Sequence, residues 1–158
     1  LPTPSILIIG IGNDYRSDDA VGLLVARALQ ARKLPRVSIQ EATGEGTALL
    51  EAWKGAGSVI LIDAVTSQSP AGTIHQLDAQ TGPISPEFFA LSTHAFGVAE
   101  AIELARVLGN LPQHLVIYGI EGKRFVAGVG LSPEVERAAH QTIERITRLV
   151  QSWQQPGR

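Results

Sequence analysis

The sequence predicts an α/β fold, a three-layer sandwich in which a mostly parallel, twisted five-stranded sheet carries helices on both faces. Three observations support this. Short apolar runs alternate with helical stripes, the runs at residues 5–9 and 58–62 are apolar enough to be buried on both sides, and most intervals between runs are long enough for a helical crossover. Residues 5–9 read as a parallel strand, and the stretch from Asp18 to Ala31 places Val21, Leu24, Val25, Ala28 and Leu29 on one helical face. Residues 36–40 alternate polar and apolar, as a strand nearer an edge does. Ala48, Leu49, Ala52, Trp53 and Ala56 form a crossover stripe leading into the central strand at 58–62. From Asp63 the chain reaches residues 72–77 too quickly for another helix, so this fourth strand is expected to be antiparallel and peripheral.

Pro83 and Pro86 mark residues 82–92 as loop, and residues 95–108 read as an apolar helix with His94 at its start. Residues 115–120 give a last central strand, followed by a loop bearing Gly122, Gly128 and Gly130. Ser132-Pro133-Glu134 opens the final helix with a capping hydroxyl, a first-turn proline and an early acid. Val135, Ala139, Ile143, Ile146, Val150 and Trp153 form the stripe that packs it on the sheet.

With 158 residues and no internal repeat, the chain is expected to form a single domain over 1–158. A formal net charge of -2, with 18% charged residues, supplies neither a basic stripe nor an acidic tail, so nucleic acid and anionic membrane are not expected partners. No apolar run approaches a membrane span, and Leu1-Pro2-Thr3-Pro4 lacks a signal-peptide pattern; the expectation is a soluble, cytoplasmic protein. Leu1 is read as a processed or trimmed start. The lack of cysteine removes thiolate ligands, disulfides and cysteine nucleophiles, so any metal must be held by oxygen and imidazole.

The turn after the first strand, Gly10-Ile11-Gly12-Asn13-Asp14-Tyr15-Arg16-Ser17-Asp18-Asp19, resembles a dinucleotide loop only in part. Tyr15 stands where the third glycine belongs, and carboxylates at the helix start repel a phosphate while suiting a cation or the positive end of the helix dipole. Glu41, ending the second strand, sits where a ribose-binding acid is found in that fold.

Ligands of an open parallel sheet gather beyond the carboxyl ends of its strands, where crossovers diverge. That rule selects Asp19, Asp63 directly after the third strand, and His94 at a loop-to-helix junction. Two carboxylates and an imidazole suit a borderline divalent ion such as nickel or zinc, with positions left for water or substrate. Each has a plainer reading: Asp19 as a dipole partner, Asp63 as a turn cap, His94 as a satisfied loop histidine. Asp18 reads mainly as a helix-start acid, pointing about 100° away from Asp19. His75 reads as a strand-face residue, His114 as preceding a strand and His140 as helix surface. Ser17, Ser67 and Ser92 are loop serines outside any G-x-S-x-G motif, so a serine nucleophile has no support. An acid pair acting on water stays open if Asp19 and Asp63 come close enough to differ in protonation.

Taken in order, several segments resemble the [NiFe]-hydrogenase maturation proteases, the endopeptidases that trim a C-terminal tail from a hydrogenase large-subunit precursor. They are Ile8-Ile9-Gly10-Ile11-Gly12-Asn13 with Arg16-Ser17-Asp18-Asp19-Ala20-Val21-Gly22; Leu61-Ile62-Asp63-Ala64; Ser92-Thr93-His94 with Gly97; Tyr118-Gly119-Ile120-Glu121; and Gly130-Leu131-Ser132-Pro133-Glu134-Val135. The resemblance covers nearly the whole chain and places the family's metal-binding acids on Asp19 and Asp63 and its histidine on His94. Some relatives carry glutamate where Asp19 stands, giving this chain a shorter reach. Gly44-Glu45-Gly46 departs from the Gly-Thr-x-Gly form of other relatives and bears on which large subunit is accepted. The resemblance implies that nickel is supplied by the substrate precursor rather than permanently bound, that Asp19, Asp63 and His94 sense it or activate water, that the cut follows a basic residue near the precursor's last metal-binding cysteine motif, and that the protein is a monomer. The alternatives are a non-catalytic nickel-sensing chaperone for hydrogenase assembly and a nucleotide-binding α/β protein.

Overall fold

The computed structural model describes residues 5–89 and 94–155. Ser92 and Thr93, singled out above, lie outside the described residues. The elements run β1 (Ile6–Ile11), a short 3-10 helix (Ser17–Ala20), α1 (Val21–Ala31), β2 (Val37–Ala42), α2 (Gly46–Trp53), β3 (Ser58–Val65), β4 (Ile74–Asp78), a second 3-10 helix (Pro86–Phe89), α3 (Val98–Val107), β5 (His114–Glu121) and α4 (Pro133–Gln154). The sheet order is β2-β1-β3-β5-β4. β1 pairs in parallel with β2 and β3, and β3 with β5, while β4 runs antiparallel to β5 at one edge. The fold and the edge placement of β4 agree with the sequence.

Every residue of β1 and of β3 is buried, because helices cover both faces and leave no side of these strands to water. The two faces are read from alternate residues. Leu7, Ile9 and Ile11 of β1, with Val59, Leu61 and Val65 of β3, pack under α2 and α3 together with Leu49, Trp53, Val98 and Ile102. Ile6 and Ile8, with Ile60 and Ile62, pack under α1 and α4 against Val21, Val25, Leu29, Val135 and Ile146. Leu24, expected on the inner face of α1, is 38% exposed, and Leu23 is buried instead. The helix starts at Val21 rather than Asp18; Val21, Val25 and Leu29 of the expected stripe are buried, and the buried face extends to Leu23 rather than Leu24 because Gly22 and Ala26 are the residues set against the sheet.

Close approach of α1 to the sheet depends on glycine. A Cβ on Gly22 would lie 2.3 Å from the carbonyl oxygens of both Ile11 and Ile62, and one on Gly10 would lie 2.4 Å from the Gly22 carbonyl. These are backbone atoms that cannot move aside, so α1 is seated directly over β1 and β3. The chain leaves β1 for β2 on one side by way of α1, and reaches β3 on the other side by way of α2, which covers the opposite face. The crossovers therefore diverge between the carboxyl ends of β1 and β3.

Candidate active site at the β1–β3 switch point

A cleft of about 480 Å³ opens at this divergence, and Asp19, Asp63 and His94 all line it. Each is delivered by a different element. Asp19 sits in the 3-10 turn that follows the β1 loop, where the Asn13 N–H donates to its carbonyl at 3.4 Å. Asp63 lies inside β3 rather than after it. It occupies the α2/α3 face two residues beyond Leu61, at the point where the apolar series breaks. His94 is half-buried four residues before α3. The chain following it is pinned twice: the Gly46 N–H donates to the Phe96 carbonyl at 2.8 Å, and the Glu100 carboxylate accepts from the Gly97 N–H at 2.9 Å. Gly46 gives this segment room, since a Cβ there would lie 2.3 Å from the Phe96 ring, and Gly44 beside it turns the chain with a φ of +96°.

The two acids differ electrostatically. Burial raises the Asp19 carboxyl above its ordinary range, against the pull of the Arg16 guanidinium and the Asn13 N–H. Asp63 is pushed well above that range by its burial first and by the Asp19 charge second, with the Ala64 N–H opposing. Burial thus acts on both carboxyls, more strongly on Asp63, so Asp19 ionises the more readily of the two. Among the described residues, no three histidine, aspartate and glutamate side chains stand close enough together to hold a metal ion.

The glycine loop is shaped by Asp19 and not by a phosphate. A Cβ on Gly12 would lie 2.1 Å from the Asp19 carbonyl oxygen. The loop N–H groups are already engaged: Gly12 donates to the Ala42 carbonyl, Asn13 to Asp19, Tyr15 to the Asn13 side chain and Arg16 to the Asn13 carbonyl. Glu41, the candidate ribose acid, holds Arg27 at 2.8 Å, and Arg27 also grips Asp14 at 2.8 Å on the cleft wall. These four N–H groups and the Glu41 carboxylate are therefore committed to the protein itself, and a dinucleotide would have to displace those partners.

Asp18 does not act as a simple helix-start acid. It is fully buried and accepts hydrogen bonds from the N–H groups of Lys123, Arg124 and Ser132 and from the Ser132 hydroxyl, at 2.7 to 2.9 Å. Burial alone would raise its carboxyl, but these donors outweigh it and hold Asp18 below the usual range. The Ser132 hydroxyl is consequently not the cap of α4 that its sequence suggests. Asp18 binds the β5–α4 loop to the turn carrying Asp19. Sequence inspection missed this role because the partners are more than 100 residues away; the signal was an acid with a buried serine-proline helix start elsewhere in the chain.

Two of the loop serines, Ser17 and Ser67, are spent structurally. The Ser17 hydroxyl donates to the Val126 carbonyl at 2.8 Å, and the Ser67 hydroxyl donates to the buried Glu121 carboxylate, which also accepts from the Ser67 N–H and contacts Nε2 of His75 at 3.1 Å. Glu121 was missed as a buried anchor, and His75, in β4, completes it. His114 starts β5 beside Trp153, and His140 is exposed on α4.

Comparison with known proteins agrees with this architecture. Residues 23–149 match a family model described as hydrogenase maturation protease, a span that includes Asp63 and His94 and begins just after Asp19. The hydrogenase expression/formation protein HupD of Thiocapsa roseopersicina is 28% identical over 144 residues, which cover 89% of this chain but 65% of that protein. The hydrogenase 2 maturation protease of Escherichia coli K12 is 28% identical over 146 residues, covering 89% of this chain and 87% of that one. Among solved structures, the hydrogenase maturating endopeptidase HybD from E. coli superposes with a TM-score of 0.76 at 25% identity, covering 94% of this chain and 93% of that chain.

Proposed function

Starting from a chain that belongs to the hydrogenase maturation protease family, and is therefore an endopeptidase, we propose that it removes the C-terminal extension of a [NiFe]-hydrogenase large-subunit precursor once nickel has been inserted. The observation that carries this reading is the meeting of Asp19, Asp63 and His94 on one cleft at the switch point of the sheet. Oxygen and imidazole donors suit nickel, and the ion arrives as part of the substrate with protein ligands of its own. Asp19, more readily ionised, attracts it; Asp63 gives up its proton as the ion approaches, and His94 offers an imidazole in the same cleft, the ion keeping its ligands from the precursor. Recognition of nickel thereby aligns the tail for cleavage and restricts the cut to loaded precursor. The partner is met transiently by a monomer in the cytoplasm, where the precursor is assembled.

The test is to incubate nickel-loaded precursor with Asp19→Ala, Asp63→Ala and His94→Ala in turn. Loss of tail release in all three, with circular dichroism matching the parent, is the expected result. Normal trimming by His94→Ala would remove that residue from the site.

A further inference from the structure

Beside the cleft lies an apolar platform that none of the foregoing chemistry uses. Tyr15, Val126 and Val129 are 74%, 60% and 83% exposed, among the most exposed large hydrophobic side chains of the described residues. They come from two loops beyond the carboxyl ends of β1 and β5, and those loops are tied together. The Gly128 N–H donates to the Tyr15 carbonyl at 3.0 Å, the Ser17 N–H to the Gly128 carbonyl at 2.9 Å, the Ser17 hydroxyl to the Val126 carbonyl at 2.8 Å, and Nε of Arg16 to the Phe125 carbonyl at 3.0 Å. Main-chain groups of both loops, with the Arg16 and Ser17 side chains, are engaged in these bonds, while Tyr15, Val126 and Val129 stand exposed. Tyr15 also lines the cleft, so the platform and the site form one continuous surface.

We infer that this platform is the docking surface for the folded body of the protein substrate, whose tail enters the adjoining cleft. The inference rests on the function proposed above and deepens it. A free peptide or a metal ion would need only the cleft; an apolar shelf held rigid at its lip suits a partner that presents its own apolar face next to the segment to be cut. A second exposed apolar group, Leu104, Val107 and Leu108, lies at the far end of α3, about 14 Å of helix away from the Val98 that borders the cleft. It serves as the control surface.

The experiment measures tail release and binding together, using the nickel-loaded precursor as probe. Val126→Asp/Val129→Asp is expected to raise KM and the binding Kd about tenfold or more, because a charge is forced against an apolar partner face, while the rate at saturation stays within about twofold. Val107→Asp/Leu108→Asp is expected to match the parent. Both pairs are exposed, so both variants fold. A platform variant that binds and cuts as the parent does overturns the inference and leaves the proposed function intact. A parent that binds without cutting overturns the proposed function, and the platform stands if its variant then binds more weakly. A parent that neither binds nor cuts overturns both.

Discussion

Ser132 donates twice to the buried carboxylate of Asp18, its N–H to Oδ1 at 2.7 Å and its hydroxyl to Oδ2 at 2.8 Å. This contact closes the β5–α4 loop onto the turn that presents Asp19. Because Asp18 is held below its ordinary range, its contribution to stability is fully present above the unfolded carboxylate pKa and is lost as pH falls through the lower folded value. Asp18→Ala leaves buried donors without an acceptor and should cost about 3 kcal/mol or more by urea denaturation at neutral pH. The difference between parent and variant should shrink below about pH 4, where Asp18 of the unfolded chain is protonated. A difference that does not change with pH would show that the carboxylate charge is not what the donors hold.

Gly22→Ala puts a methyl 2.3 Å from two strand carbonyls. α1 has to lift from the sheet, at a cost of about 1–3 kcal/mol, and the turn carrying Asp19 moves with it. Thermal denaturation should record the destabilisation, and loss of tail release is expected at temperatures where the variant is still folded. Unchanged stability would mean that α1 shifts without resistance.

Asp63 is buried with its pKa raised, so the sign is opposite to that of Asp18. The native state holds the Asp63 proton more tightly than the unfolded chain does, and this residue's contribution to stability declines as pH rises above the unfolded carboxylate value. Asp63→Asn removes the cost of a buried charge and is expected to raise Tm at neutral pH by about 2–4 °C, the shift that about 1 kcal/mol gives a domain of this size. The same variant should not process precursor. A lower Tm would mean that the carboxylate is stabilised by its surroundings.

The Asp19 charge is one of the causes that raise Asp63. Asp19→Asn should therefore lower the titration midpoint of the Asp63 carboxyl, followed by carbon-detected NMR of the free protein. An unmoved midpoint would show that the acids are too far apart to divide roles.

The sequence made legible whatever depends on local pattern. The apolar run at 58–62 marked a central strand, the short path from Asp63 to residue 72 marked an antiparallel edge strand, and strand-end position brought Asp19, Asp63 and His94 together on paper before they shared a cleft. What stayed hidden depends on distant pairing. Asp18 and Ser132 each satisfied a local rule, helix-start acid and helix cap, yet each is used by the other. Glu121 and His75 meet only once β4 lies against β5. Leu23 and Leu24 exchanged roles because α1 approaches the sheet through the small residues Gly22 and Ala26, which a reading of large apolar residues passes over.

Intact-mass analysis of precursor incubated with this protein, nickel-loaded in one sample and nickel-free in the other, decides whether cleavage depends on nickel. Loss of a C-terminal peptide from the loaded precursor alone is the predicted result. Cleavage of both forms alike would contradict the nickel-sensing role of Asp19, Asp63 and His94, and binding of the loaded form without any loss of mass would make the protein a sensor that does not cut.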